Sequence, residues 1–195
     1  SDLTIAEDGT STATLTATDA NDDAITYSAV SDINAVTVSV SSSTLTLTPN
    51  ANWNGTATIT AYASDGSLKD STTFSLTVTP VNDAPVITAV SNESTNEETE
   101  KSIVLSASDV DADALTYTAS SDTSAVAVIV STNTLKLTPV LNYTGTSVIT
   151  VIVSDNALTD TSKFDFKVIN VNDAPVITAV ANDTTSEDSD GKAVI

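Results

Sequence analysis

The chain repeats itself at an interval of ninety residues. The ten residues VNDAPVITAV occupy 81–90 and recur unchanged at 171–180. Residues 1–85 align with 91–175 without a gap, and 38 of these 85 positions are identical. A repeat of this regularity is typical of a tandem array in which each copy is one folded unit.

The repeat sets the predicted domain boundaries. We assign 1–83 to a first repeat that is N-terminally incomplete, 84–173 to a complete second repeat, and 174–195 to the truncated start of a third. In this third copy Glu187 stands where Glu97 stands in the second. The sequence begins with neither an initiator methionine nor a signal peptide. We therefore expect an array that continues beyond both ends.

Each repeat is patterned as β-strands. In FDFKV, at 164–168, apolar and polar residues alternate, which places Phe164, Phe166 and Val168 on one face. Turn signals such as SDG at 64–66 separate the alternating segments. No ten-residue stretch has a helical period, and the many Val, Ile and Thr residues suit a pleated sheet. The pattern predicts an all-β fold: tandem seven-stranded antiparallel β-sandwiches of the immunoglobulin type in a linear array.

The same alternation locates the strands of the second repeat. Lettered A to G in chain order, they are predicted at 86–91, 102–107, 115–119, 125–130, 134–138, 147–153 and 163–169. In such a sandwich the B–C and F–G loops lie together at the end where the chain enters the domain. We call this the B–C end, and we call the opposite end, which holds the A–B turn, the A–B end.

The chain carries a large negative charge. Six lysines and no arginine oppose 26 acidic residues, which gives a net charge of −20. Nucleic acids and anionic lipids bind clusters of Lys and Arg, so neither is expected as a partner. No apolar run approaches the ~20 residues that span a bilayer, which argues against direct membrane insertion. The charge fits a general aid to solubility, adaptation to a salty environment, or specific binding of cations.

Oxygen ligands concentrate at the predicted junction between the first two repeats. They come from the B–C loop, the F–G loop and the linker of the second repeat, and from the A–B turn of the first: Asp109, Asp111, Asp113, Asp155, Asn82, Asp83 and Glu7, with Asp8 beside it. The first repeat has the same arrangement at its own B–C end: Asp19, Asn21, Asp23 and Asp65. A string of Asp residues also fits a polar turn, in which carboxylates accept backbone N–H groups.

Calcium is the cation that suits these ligands best. Carboxylates packed within a few ångströms repel one another unless a cation lies among them. Ca²⁺ accepts about 6–8 oxygen ligands in flexible geometry, whereas Mg²⁺ requires a stricter octahedron. The sequence contains no histidine or cysteine, the ligands typical of zinc and copper. Pro85 holds the linker extended, so a cation shared by Asn82 and Asp83 would fix two sandwiches in one relative orientation.

Several motifs occur together along the whole chain. They are a Glu ahead of strand B, DVDADALTY at 109–117, TPNANWNGT at 48–56, SDG at 64–66 and VNDAP at 81–85. In combination they resemble the cadherin-like tandem repeats of large bacterial surface and secreted proteins.

The resemblance implies calcium bound between successive repeats. At the first junction it implies the ligands Glu7, Asn82, Asp83, Asp111, Asp113 and Asp155, and at the second Glu97, Asn172 and Asp173. The chain departs from animal cadherins because it lacks their Asp-Arg-Glu segment between strands E and F, so the number of ions per junction stays open. The lone aromatic residue in that region, Trp53 or Tyr143, is expected to pack at a corner of the sandwich rather than to form a sugar platform.

Catalysis is not expected. Without His, Cys or Arg, a catalytic site would need a carboxylate pair or a Ser/Lys arrangement, and the close Asp pairs are better explained as metal ligands. The sequence favours a structural extender of a long extracellular or cell-surface protein, an adhesin or matrix component, stiffened by calcium. Its partners would be neighbouring repeats of the same chain and identical chains lying side by side. The alternative is an adhesive module that recognises glycans or identical chains.

Overall fold

The computed structural model describes residues 2–179. The remainder of the predicted third repeat, including Glu187, lies outside the described residues. The described chain divides into two compact units: 2–88, 106–118 and 152–161 form the first, and 89–105, 119–151 and 162–179 form the second. Within residues 2–179 all regular structure is β-strand, and no helix of the kind that crosses a membrane is present.

The first repeat contributes seven strands. They are β1 (Leu3–Ala6), β2 (Ser11–Thr14), β3 (Thr26–Ser31), β4 (Val36–Ser41), β5 (Thr44–Pro49), β6 (Gly55–Ser64) and β7 (Lys69–Thr79). They form a four-stranded sheet in the order β1-β7-β6-β3 and a three-stranded sheet in the order β2-β5-β4. All neighbours are antiparallel except β1, which runs parallel to β7.

The second repeat contributes nine strands. They are β8 (Val86–Ile87), β9 (Glu93–Asn96), β10 (Lys101–Val104), β11 (Ala107–Ser108), β12 (Thr116–Ser121), β13 (Val126–Ser131), β14 (Thr134–Pro139), β15 (Gly145–Ser154) and β16 (Thr159–Ile169). The sheets have the orders β12-β15-β16-β9, β10-β14-β13 and β11-β8. The strand order of the first repeat thus recurs, with β8 and β11 added as a two-stranded sheet.

Alternation of buried and exposed residues builds the cores. In the first repeat, side chains from both sheets form one cluster that includes Leu47 of β5, Ile59 of β6 and Leu76 of β7, all fully buried. In β16 the exposed fractions of Phe164 and Phe166 are 3% and 0%, and Val168 is also buried, while the residues between them are exposed. The predicted all-β fold and the predicted inward face of this strand are therefore confirmed.

Strand A differs from its prediction. A single strand at 86–91 was expected, but the chain forms the short β8, which pairs antiparallel with β11, and then β9, which pairs parallel with β16. The first and seventh strands of such a sandwich run in the same direction, so a first strand that reaches the last one must lie parallel to it. The β9 segment Glu-Ser-Thr-Asn has no large apolar residue to reveal it as a strand.

The aromatic residues of the E–F region pack at a corner, as expected. Trp53 lies against the core cluster of the first repeat, and the Tyr143 hydroxyl is 3.1 Å from Ser147 Oγ. Two residues further on, Gly55 and Gly145 have φ near 147°, outside the range that other residues adopt easily. A Cβ on Gly55 would lie 2.9 Å from Trp53 Cζ2. The glycine therefore allows the corner to close over the aromatic ring.

We expect Gly55→Ala to destabilise the first repeat more than Gly66→Ala. Both positions have positive φ, so either substitution strains the backbone by about 1–3 kcal/mol. Only at Gly55 does the new methyl group also overlap a side chain, which adds about 1–3 kcal/mol. Urea unfolding of the two variants measures the difference. Equal losses of unfolding free energy in the two variants would show that the Trp53 ring moves aside at no energetic cost.

Candidate metal centre

The B–C loop of the second repeat is a polar turn built around Asp109. Its Oδ1 accepts hydrogen bonds from the backbone N–H of Asp111, at 2.9 Å, and of Asp113, at 3.2 Å. Ala112 has a φ of 62°, which turns the chain sharply. Carboxylate oxygens of all three Asp residues lie within 4.8 Å of one another. Both interpretations of the Asp string therefore describe the same loop: the turn shapes it, and the carboxylates gather in it.

The turn uses one oxygen of Asp109 and leaves the other without a partner. Among residues 2–179, Asp109 Oδ2 is buried and makes no hydrogen bond, and the same holds for Asp83 Oδ2 in the linker. A buried oxygen of an ionised carboxylate is costly unless a donor or a cation meets it. These two atoms are the ones that a cation at this place would satisfy.

The linker is bonded to the B–C loop through Asp83. The backbone N–H of Asp83 donates to Asp111 Oδ2 at 2.8 Å. The pKa of Asp83 is raised, first because the carboxyl is partly removed from water and then because Asp8, Asp111, Glu7 and Asp109 lie nearby with like charge. Carboxylates of both repeats thus act on one side chain.

The F–G loop contributes Asp155, which is buried. Its Oδ1 accepts the N–H groups of Ala157 and Leu158, both at 2.6 Å, and its Oδ2 accepts Asn82 Nδ2 at 2.8 Å. The Asn82 amide and these two N–H groups lower the pKa of Asp155. Asn82 thus meets this carboxylate as a donor, and it ties the linker to a second loop of the following repeat.

Glu7 ties the linker to the preceding repeat. Its side chain is only 4% exposed, and its Oε1 accepts the N–H of Val81 at 2.6 Å. Its Oε2 lies 3.4 Å from Asn54 Nδ2. The neighbouring Asp8 accepts the N–H of Asn52 at 2.9 Å. Since all these residues belong to the first compact unit, the geometry around Asp83 is a feature of one body.

The residues present fit a calcium ion. The group consists only of carboxylate and amide oxygens, the hard ligands that Ca²⁺ takes, and it includes two buried oxygens without partners. The predicted residues that the structure brings to Asp83 are Glu7, Asp109 and Asp111, with Asn82 and Asp155 bonded alongside. Asp113 joins through the B–C turn.

A second group forms at the A–B end of the second repeat. Oxygens of Glu97, Glu98 and Asp173 lie within 4.8 Å of one another. Glu97 is buried and accepts Val171 N at 2.5 Å, which repeats the bond between Glu7 and Val81. The Nδ2 atom of Asn172 lies 3.3 Å from the carbonyl oxygen of Asp173, its bonding partner within residues 2–179.

Asn142 adds an amide to this second group. With its nitrogen turned towards the carboxylates, it lies 3.0 Å from Glu98 Oε1 and 3.2 Å from Asp173 Oδ2. Neither Asn142 nor Glu98 was predicted from the sequence. A signal for both was present, because the acidic pair recurs at Glu7–Asp8 and the asparagine recurs at Asn52.

The B–C end of the first repeat reproduces the turns but not the complete group. Asp19 Oδ1 accepts the N–H groups of Asn21, at 2.7 Å, and Asp23, at 3.1 Å. Asp65 Oδ1 accepts those of Ser67 and Leu68, both at 2.7 Å, and these bonds lower its pKa. Asp19 and Asp65 line one cavity of about 250 Å³. These predicted ligands are therefore gathered at one end, without a linker aspartate among them in residues 2–179.

Two domain families match the chain in succession. Residues 2–79 match the cadherin-like domain, and residues 82–167 match the bacterial Ig domain. No curated protein matches the chain.

Solved structures are similar in fold. The EC1-2 fragment of human protocadherin-24 is 19% identical to this chain and has a TM-score of 0.50. The alignment covers 80% of this chain and 87% of the protocadherin chain. A variant endo-fucoidan hydrolase from glycoside hydrolase family 107 is 24% identical to this chain and has a TM-score of 0.39. The alignment covers 78% of this chain and 24% of the hydrolase chain. The chain spans 24–33% of the length of three such hydrolase structures. The protocadherin similarity shows the β-sandwich fold.

We expect Asp83→Asn to raise the Tm of the chain in EGTA at pH 7. Because the pKa of Asp83 is raised on folding, the folded state binds its proton more tightly than the unfolded state, and ionised Asp83 disfavours folding. The Tm difference between variant and parent should therefore be largest near pH 7. This Tm difference should decrease as the pH falls through the raised pKa of Asp83 towards the ordinary Asp value of about 3.9.

Asp165→Asn is the matched control for this charge change. Asp165 is exposed on β16 between Lys163 and Lys167, so its replacement should not raise the Tm. Calorimetry over a pH series tests both variants. A lower Tm for Asp83→Asn in EGTA would contradict the expectation that the ionised Asp83 carboxylate disfavours folding.

Proposed function

We propose that this chain is a structural segment of a tandem array whose junctions are stiffened by calcium. Its residues 2–79 match the cadherin-like domain and its residues 82–167 match the bacterial Ig domain. Domains of these families are typically extracellular or surface-exposed and typically not enzymes. The family resemblance drawn from the sequence is confirmed, and the proposal adds what such domains do in this chain.

One observation supports the proposal above the others. Two carboxylate oxygens, Asp83 Oδ2 and Asp109 Oδ2, are buried without a hydrogen bond in the described part of the chain. Partial removal from water, and then nearby like charges, raise the pKa of Asp83. Calcium, when bound, would supply the positive charge that these oxygens lack. Cadherin-like domains generally bind calcium.

The chain itself holds the linker from two sides. The N–H of Val81 is bound by Glu7 of the first repeat, and the N–H of Asp83 is bound by Asp111 of the second. Pro85, immediately before β8, is fully buried. A cation would neutralise the carboxylates, so repulsion between them would no longer oppose these hydrogen bonds. The linker backbone would then be restricted to one conformation. This is the proposed source of stiffness.

A stiff linker suits a spacer. Repeats held in fixed succession extend a protein away from its point of attachment, by some tens of ångströms per sandwich at about 3.3 Å per strand residue. We therefore place the chain in a long extracellular or cell-surface protein, an adhesin or matrix component. A catalytic role is not part of the proposal. The carboxylates of the junction accept backbone N–H groups, and we propose that they bind a cation rather than act as the acid and base on either side of a substrate.

Calcium at millimolar concentration should raise the Tm by several degrees. An ion that binds only the folded state stabilises by mass action, by about 2.7 kcal/mol at a hundred times its Kd. The double variant Asp111→Ala, Asp113→Ala should lose most of this shift, whereas Asp165→Ala should keep it. Differential scanning calorimetry with Ca²⁺, Mg²⁺ and EGTA makes the comparison. An equally small shift with both metals would rule out the calcium assignment.

Calcium should also narrow the range of distances between the first two repeats. The chain has no cysteine, so two spin labels can be placed without background. Ser28→Cys in β3 and Ser120→Cys in β12 are exposed positions that belong to different compact units. Pulsed electron paramagnetic resonance should give a broad distance distribution in EGTA and a narrow one in Ca²⁺. In the double variant Asp111→Ala, Asp113→Ala the distribution should stay broad. Identical widths in EGTA and Ca²⁺ for the parent chain would contradict the stiffening.

A further inference from the structure

The two larger sheets of the second repeat end in four edge strands, β9, β10, β12 and β13. An edge strand presents unpaired backbone N–H and C=O groups, and proteins guard such edges by short length, by charge or by proline. β9 and β10 have four residues each, and Glu93 of β9 forms an ion pair with Lys101 of β10 at 2.7 Å. The exposed side chains of β12 all carry hydroxyl groups: Thr116, Thr118 and Ser120. Three of the four edges are therefore short and charged, or polar.

The fourth edge, β13, is apolar. Its sequence, VAVIVS at 126–131, contains no charge, proline or glycine. Ile129 faces solvent and is 60% exposed, and Ala127 is exposed beside it. Ile129 lies opposite Lys136 of β14, whose ammonium group is 3.0 Å from Glu100. An uncharged, apolar edge strand of six residues is a place at which another strand can pair.

The first repeat shows that the fold does not require an apolar edge at this place. Its β4 aligns with β13, ends the corresponding three-stranded sheet and has the same alternation of buried and exposed residues. At the exposed positions, however, Thr37 and Ser39 stand where Ala127 and Ile129 stand in β13. The sandwich therefore forms with either kind of edge, and the apolar residues of β13 are available for a contact outside the repeat.

The pairing of β13 with β14 fixes which backbone groups face the open side of the sheet. The N–H of Val140 donates to the carbonyl oxygen of Ala125 at 2.8 Å, so these two residues are a hydrogen-bonded pair. In an antiparallel ladder, bonded pairs recur at every second residue of each strand. The residues between them direct their N–H and C=O groups to the open side: Val126, Val128 and Val130.

We propose that β13 of the second repeat pairs antiparallel with β13 of a second copy of this chain. Val128 of one copy lies opposite Val128 of the other on a two-fold axis, and Val126 of each copy lies opposite Val130 of the other. This register brings all three open-side residues of each copy into bonded pairs, each with two main-chain hydrogen bonds. A register shifted by two residues leaves one of the three without a strand residue opposite it.

The same register makes the strand complementary to a copy of itself. Ile129 of each copy lies opposite Ala127 of the other, in non-hydrogen-bonded pairs, where the side chains are closest. A large residue opposite a small one fills the space without overlap. The contact is small compared with the about 20–30 residues per partner of a standard interface, so a weak dimer in the micromolar to millimolar range is expected. A two-fold contact is closed, so this edge gives dimers rather than open chains.

The pairing is separate from the calcium-bound junction, because it uses none of the proposed calcium ligands. It names the partner with which the structural segment associates side by side. Each copy carries a net charge of −20, so the copies repel one another over most of their surface. Salt screens this repulsion. The dimer should therefore form in EGTA and should strengthen as the NaCl concentration rises.

The repeat provides a matched pair of variants, Ile129→Lys and Ser39→Lys. Both positions are exposed, and both substitutions lower the net negative charge by the same amount. Charge alone would make both variants associate more strongly. Pairing of β13 predicts instead that only Ile129→Lys weakens the dimer, by at least about tenfold, because the two-fold axis places a lysine in the contact twice. Sedimentation velocity of the 195-residue chain in EGTA and high NaCl measures the dimer. Equal effects of the two variants, or a parent chain that stays monomeric up to millimolar concentration, would overturn the proposal.

A single spin label identifies the strand and its register. Ser131→Cys places a label on the exposed face of β13. In the proposed register Ser131 lies opposite Ala125 of the other copy, so the two labelled Cα atoms are separated by about 20 Å along the strands. Pulsed electron paramagnetic resonance should give a narrow distance near this value, and Ser41→Cys, at the aligned position of β4, should give none. A distance that differs by about 7 Å or more, or the same result for both variants, contradicts the proposed pairing.

Discussion

The linker between the first two repeats is positioned by carboxylates, and this single feature determines how the junction behaves. Glu7 accepts the N–H of Val81, and Asp111 accepts the N–H of Asp83. Each bond orders the backbone, yet each also brings a negative charge to the same place. The consequence is visible at Asp83, whose pKa is raised first by partial removal of the carboxyl from water and then by the acidic neighbours. Hydrogen bonds alone order the junction at an electrostatic cost that a divalent cation would remove.

The two carboxylate oxygens of Asp109, in the B–C loop, have different roles. Oδ1 of Asp109 closes the turn, and Oδ2 is left buried without a partner. The Asp19 turn of the first repeat has the same bonds without a linker aspartate among the described residues. The hydrogen bonds of the turn therefore shape the loop in both repeats, and the proposed cation would act on the junction rather than on the loop.

The sequence predicted the strands whose buried and exposed side chains alternate. The inward Phe164 and Phe166 are an example, because burial in a sandwich follows every second residue. It did not predict β9, since a strand held at a sheet edge by backbone bonds needs no apolar pattern. The early start of β16, at Thr159 rather than 163, has the same cause: its first four residues are all polar and show no apolar alternation.

For the candidate site, the sequence drew attention to residues that recur in both repeats and missed residues that only the geometry brings together. The Asp residues of the B–C and F–G loops were recognised by their recurrence in both repeats. Asn142 was not, because its amide reaches Glu98 and Asp173 only through a left-handed turn, with φ of 58°, at the E–F corner. Asn52 has a φ of 57° at the same place in the first repeat. An asparagine that recurs at such a corner is therefore informative once the fold is known.

The most direct test of the calcium-bound junction is a crystal structure of the chain grown with Ca²⁺, with anomalous data to identify the metal. An anomalous peak with oxygen ligands that include Asp83 Oδ2 and Asp109 Oδ2, at about 2.3–2.6 Å, is the result we predict. If both oxygens are instead met by water or by protein donors, and no peak lies between them, calcium does not hold the junction.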